Sequence, residues 1–103
     1  MPVISVTVNA TLLVNHAELL AAVNIAASHA LDLPETGVHS ILSFSQAAST
    51  GTLPTEPWPV AIVHGRRRSV EAMRNLVDAV ANVLAEFANC DGDKVWVQWM
   101  VVA

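Results

Sequence analysis

The sequence predicts an α/β (α+β) fold: a tandem β-α-β repeat forming a four-stranded sheet with two helices on one face. Stretches rich in β-branched residues alternate with stretches of helical periodicity, and the order strand–helix–strand occurs twice. Pro2-Val3 recurs as Pro59-Val60, an offset of 57 positions, which marks the second unit as a restart of the first. With 103 residues, 53% apolar and 14% charged, the chain can bury one core. A single domain over 1–103 is expected, with units at roughly 2–45 and 58–102.

Pro2 to Val8 is rich in β-branched residues and bounded by Asn9, which suggests a strand. Asn15 and Glu18 have the spacing of a capping box. Leu19, Leu20, Val23, Ala26, Ala27 and Leu31 then recur at three and four, so a helix spans His16 to Leu31. Asp32-Leu33-Pro34 ends it. Val38 to Ser45 forms the second strand, and Gln46 to Pro57, rich in Ser, Thr, Gly and Pro, reads as loop. The third strand follows Trp58-Pro59. Ser69 caps the second helix, whose apolar stripe is Met73, Leu76, Val77, Val80, Val83, Leu84 and Phe87. After a turn at Asn89 to Lys94, Val95 to Val102 forms the last strand. Each crossover makes its two strands parallel.

On that last strand Val95, Val97, Trp99 and Val101 face one way, and Trp96, Gln98, Met100 and Val102 the other. Two helices cover one face of such a sheet, which leaves the second apolar face open. Another copy of the chain is the expected cover, giving a homo-oligomer with sheets turned inward.

Several function classes fall away. The net charge is −4 with five basic residues, too few for a face that tracks phosphates, so no nucleic-acid partner is expected. One cysteine, Cys90, makes neither a disulfide framework nor a multi-cysteine zinc site. No apolar run reaches the ~18 residues of a spanning helix, so no membrane role is expected. Met1-Pro2-Val3-Ile4 lacks the shape of a signal peptide, and a cytoplasmic protein is expected. His16, His29, His39 and His64 are scattered without ligand spacing, so neither a metal nor another cofactor is expected.

Chemistry could reside at a few places. Removal of Met1 would leave Pro2 a free secondary amine at the head of an apolar strand. Such surroundings disfavour the cation, making the amine a usable general base near neutral pH. The plainer alternative is a proline tolerated at a strand's first position. Arg66, Arg67 and Arg68 lie between a strand end and a helix start, where cations oppose the macrodipole. A bound carboxylate would remove that conflict. A solvated basic turn is the alternative. His29, late in the first helix, reads as a helix-surface or packed histidine rather than a catalyst. Cys90 reads as a turn residue, no Gly-x-Ser-x-Gly elbow exists, and the tryptophans read as core, interface or pocket-wall residues.

Met1-Pro2 before a β-branched strand, a tandem β-α-β in about a hundred residues and an arginine run after the third strand together resemble the tautomerase superfamily. The length is similar to its double β-α-β members: macrophage migration inhibitory factor, malonate semialdehyde decarboxylase and cis-3-chloroacrylic acid dehalogenase. Val63-His64-Gly65 followed by arginines, and Lys94-Val95-Trp96-Val97, are most similar to the dehalogenase group. The resemblance implies the tautomerase/MIF-like fold, three sheets closed around an axis as a homotrimer, and an enzyme whose amino-terminal proline acts as base. It places His29 at a substrate-binding histidine and the arginine run at carboxylate-binding arginines, without saying which of the run bind. Gln98 stands where the dehalogenase has a catalytic tyrosine, and Gly37 where the decarboxylase has a catalytic aspartate. The chain stops at Ala103, short of the dehalogenase's water-activating glutamate.

Keto–enol tautomerisation needs no water activator. The expected function is therefore an isomerase for a small 2-oxo or 2-hydroxyenoate carboxylate. Pro2 would move the proton, Arg66, Arg67 and Arg68 would hold the carboxylate, and His29 and Gln98 would assist binding. A related lyase, hydratase or dehalogenase-like activity is one alternative. A catalytically weak trimer that binds small carboxylates or a protein is the other.

Overall fold

Alternating side chains make Val3–Asn9 an amphipathic strand, β1, because successive residues point to opposite faces. Ile4, Val6 and Val8 are fully buried, while Val3, Ser5 and Thr7 face away from the core. The computed structural model describes residues 1–103. After β1 come α1 (His16–Leu31), β2 (His39–Ser45), β3 (Ala48–Thr50), β4 (Leu53–Thr55), β5 (Val60–Gly65), α2 (Val70–Ala88) and β6 (Trp96–Val101).

Both helices start and stop where side-chain chemistry dictates. Asn15 Oδ1 accepts the Glu18 N–H at 3.0 Å, and Ser69 Oγ accepts the Ala72 N–H at 3.1 Å. Asp32 (φ 53°) and Asn89 (φ 51°) end the helices in the left-handed conformation, which short polar residues tolerate. Leu19, Val23, Ala27 and Leu31 of α1 and Leu76, Val80 and Leu84 of α2 pack onto one face of the sheet. Ile4, Val6, Val8, Val38, Ala61 and Val63 complete that core.

The sheet order is β2-β1-β5-β6. β1 pairs parallel with β2 and β5 parallel with β6, as crossover connections require. The two units meet through antiparallel β1 and β5, with Ser5 opposite Ile62. The offset of 57 carries the pair Val3–His39 onto Val60–Trp96, and Val3–His64 onto Val60–Thr7. It also carries the 3₁₀ turn Glu35–Gly37 onto Gly92–Lys94. The chain is thus an internal twofold whose axis passes beside Ser5 and Ile62.

Two expectations need correction. The segment 46–57 is not plain loop: β3 and β4 pair antiparallel around Gly51, whose φ of 59° suits a residue without Cβ. Strands of three residues, one containing Pro54, are too short to show alternation. The second and last strands also begin one residue later than expected, at His39 and Trp96, because Val38 and Val95 are the exits from the preceding 3₁₀ turns, and the last strand ends at Val101.

The second face of the sheet is open, as the pattern on β6 implied. It carries Ile41, Met100 and Trp96, at 47%, 44% and 64% exposure, among Ser5, Thr7, His39, His64 and Gln98. No helix is long and apolar enough to cross a membrane. Leu76 is fully buried beneath both units. Leu76→Ala should lower the unfolding free energy by about 2–5 kcal/mol. Leu76→Met, which conserves volume, should cost less than about 1.5 kcal/mol, both measured by urea titration.

Candidate active site

The antiparallel joint sets the geometry of the site. Because Val3 pairs with His64, the residue before β1 and the last residue of β5 lie at the same edge of the sheet. β6 runs parallel to β5 and ends there too, with the Val102 N–H donating to the Gly65 carbonyl at 2.9 Å. On its other side Pro2 is tied down by the His39 N–H, which donates to the Pro2 carbonyl at 3.1 Å. These ends enclose a cavity of about 250 Å³ lined by Met1, Pro2, Gly65, Arg66, Arg68, Val102 and Ala103.

Pro2 is buried, Arg68 half-buried and Arg66 exposed. Spacing of two is what an extended segment presents to one side, and Arg67 accordingly stays out of the cavity. The run leads into the first turn of α2, where the macrodipole adds to its positive charge. The side-chain hydrogen bonds of the chain, formed by Asn9, Asn15, Ser28, Thr50, Ser69 and Trp96 with their neighbours, involve none of the three arginines. Their guanidiniums therefore keep their donors free for an anion. A carboxylate here would meet two guanidiniums and a helix start, with Pro2 alongside.

The other two residues named from sequence lie outside this cavity. His29 is exposed in the last turn of α1, where a histidine suits the helix's negative end. α1 runs antiparallel to β1, so that turn shares the Pro2 end of the molecule. Gln98 lies on the open face midway along the outer strand β6, beside Ile62, its Oε1 accepting the Trp96 Nε1–H at 3.3 Å. Gly65, Val102 and Ala103 line the cavity without having been singled out. A glycine closing a β-branched run, as Gly65 does, was a readable sign of close approach.

A larger cavity of about 940 Å³ opens at the opposite end, lined by Asn9, Thr11, Trp58, Pro59, Cys90 and Lys94 among others. It is the first cavity's counterpart under the internal twofold: Pro59 stands for Pro2, and Asn9 and Thr11 for Arg66 and Arg68. The nitrogen of Pro59 is a mid-chain amide, and Asn9 Oδ1 is occupied by the Thr11 N–H (3.0 Å) and hydroxyl (2.9 Å). This end carries Glu56 and Lys94, but no arginine and no proline nitrogen that could become an amine. No group of three or more His, Cys, Asp or Glu side chains is placed to hold a metal ion.

No protein-family description matches the sequence, and no curated protein matches it. Solved structures do. A fused 4-OT described as an asymmetric trimer superposes with a TM-score of 0.89 at 19% identity, over 97% of this chain and 85% of that one. A macrophage migration inhibitory factor-like protein from Entamoeba histolytica gives 0.80 at 12% identity, over 99% and 89%. A member of the cis-3-chloroacrylic acid dehalogenase family gives 0.79 at 15% identity, over 97% and 74%. The chain has the tautomerase/MIF-like fold that its resemblance to that superfamily implied.

Cys90, at the larger cavity, is not poised as a nucleophile. Burial first, then the carboxylates of Asp91 and Asp93, push its thiol above the usual range despite Lys94. Alkylation of Cys90 by iodoacetamide should therefore be slow at pH 7 and still accelerate beyond pH 9.0, the value of an unperturbed thiol. A rate already level at pH 8 would contradict that environment.

Proposed function

We propose that this chain belongs to the tautomerase superfamily and is an amino-terminal-proline tautomerase acting on a small 2-oxo or 2-hydroxyenoate carboxylate. One observation carries the reading: Pro2, Arg66 and Arg68 line a single cavity. Fold alone would not carry it, since one fold hosts many activities.

With Met1 in place the prolyl nitrogen is an amide. Met1 is 73% exposed at the cavity rim, and its removal turns that nitrogen into a secondary amine. Desolvation and two nearby guanidiniums both disfavour the prolinium cation, so the neutral base is available near neutral pH. In the forward step the Pro2 amine takes the hydroxyl proton of a 2-hydroxyenoate. The oxygen's electron pair forms the C2 carbonyl, and the alkene pair takes a proton at C3 from the prolinium. The amine is restored and the atoms balance. Arg66 and Arg68 hold the carboxylate and stabilise the enolate charge between the two proton transfers.

His29 and Arg67 would act from the rim, at the carboxylate or carbonyl of a substrate extending beyond the cavity. Gln98, on the open face, reaches a substrate only if that face meets another subunit's cavity. The exposed apolar residues there favour a homotrimer, an assembly named for the fused 4-OT structures. Light scattering at micromolar concentration should report three chains; a monomer would remove both the burial argument and the role of Gln98.

Single replacements of the arginines test the site itself. Arg66→Ala and Arg68→Ala should each cost about 1.5–3 kcal/mol in kcat/KM on phenylenolpyruvate, with Tm nearly unchanged. Arg67→Ala should cost less than either. Wild-type kinetics in all three variants would exclude the arginine run as the carboxylate anchor.

A further inference from the structure

Gly65 lines the cavity between Pro2 and Arg66, and its backbone does not require glycine, since its φ lies outside the left-handed region. A neighbour does require it. A Cβ built at position 65 would stand 2.8 Å from Cζ2 of Trp99, 3.4 Å from Cε2 and 3.5 Å from Cη2. Trp99 sits beside Val63 in the β5–β6 register, on the core face, and packs against the hydrophobic core. Its two-torsion indole is a stiff plate rather than a chain end that can swing aside. The residue just past β6 holds Gly65 a second time, the Val102 N–H donating to the Gly65 carbonyl at 2.9 Å.

Trp99 Nε1 is buried without a hydrogen-bond partner. Such a donor is costly, and phenylalanine would fill the core without it. The indole supplies reach instead. Its six-membered ring extends under the end of β5, where a shorter side chain would leave Gly65 unsupported.

We infer that Trp99 is a positioning residue for the site: its indole, seated in the space of the missing Gly65 side chain, sets where the chain leaves β5. It thereby sets where Arg66 and Arg68 stand relative to Pro2. The kinetic part of this inference rests on the tautomerase reading; the placement itself does not.

Two readouts on the processed, full-length protein separate these. The first is amide hydrogen exchange at Val102, which reports the bond to Gly65 directly. The second is the KM and kcat for phenylenolpyruvate. Gly65→Ala should speed Val102 exchange at least tenfold and raise KM at least tenfold, more than it lowers kcat. Adding Trp99→Phe should give the new methyl room and bring both readouts within threefold of Trp99→Phe alone. A merely destabilising change would lower Tm without that reciprocal rescue. Wild-type Val102 exchange in Gly65→Ala, or a double variant no better than the single one, would overturn the inference. So would altered exchange with an unchanged KM. Should Gly65→Ala not fold, Trp99→Phe alone must speed Val102 exchange and raise KM at least threefold, and unchanged values overturn the inference. If the wild-type protein turns over no enol, the tautomerase reading fails, while the exchange results still decide whether Trp99 places the cavity edge.

Discussion

The antiparallel pairing of β1 with β5 is the constraint from which the site follows. Each β-α-β unit alone forms two parallel strands under one helix, and both of its outer edges are unpaired. Joining the units through their first strands, with Ser5 opposite Ile62, pairs one edge of each unit and leaves β2 and β6 as the outer strands. The helices then share one core, from Ile4 to Leu84. The same joint brings the start of β1 and the ends of β5 and β6 to one edge. Pro2 and the arginines are neighbours because the strands that carry them run in opposite directions.

The internal twofold makes the asymmetry of the two ends informative. Strand registers, helix ends and 3₁₀ turns agree between the units at a fixed offset, yet the two cavities differ in chemistry. A chain has one amino terminus, so of Pro2 and Pro59 only Pro2 can become an amine. The arginines are likewise on one side, as Arg66 and Arg68 against Asn9 and Thr11. α2 has 19 residues against 16 for α1, and the difference lies at its start. Its amino-terminal dipole therefore begins close behind the arginine run, which strengthens the field felt by an anion there.

Much of this was legible in the residues. Asn15 and Ser69 announced the helix starts, the apolar spacing announced the buried faces, and repetition of Pro-Val announced the duplication. What could not be read follows from physics that periodicity does not record. Nothing in the spacing says whether β1 and β5 pair parallel or antiparallel, since hydrogen-bonding edges carry no side-chain signature. The β3–β4 hairpin was too short to alternate. Of the candidate site, the sequence singled out Pro2 and the run Arg66 to Arg68 without ordering the three arginines, and Pro2, Arg66 and Arg68 line one cavity. Arg67, His29 and Gln98 were grouped with it by local sequence and resemblance, which do not resolve which way a side chain faces. The Gly65–Trp99 contact is invisible in sequence because its partners are far apart in the chain.

The central claim is that the nitrogen of Pro2 is the base, and the amino terminus itself offers the direct test. The same protein should be prepared with Met1 retained and with Met1 removed, each form verified by mass spectrometry, and assayed on phenylenolpyruvate. The processed form should be active, with a rate rising along one ionisation as the amine loses its proton. The Met1-retained form should be slower by about 10²-fold or more, the contribution of a positioned general base. Equal rates in the two forms would contradict the account.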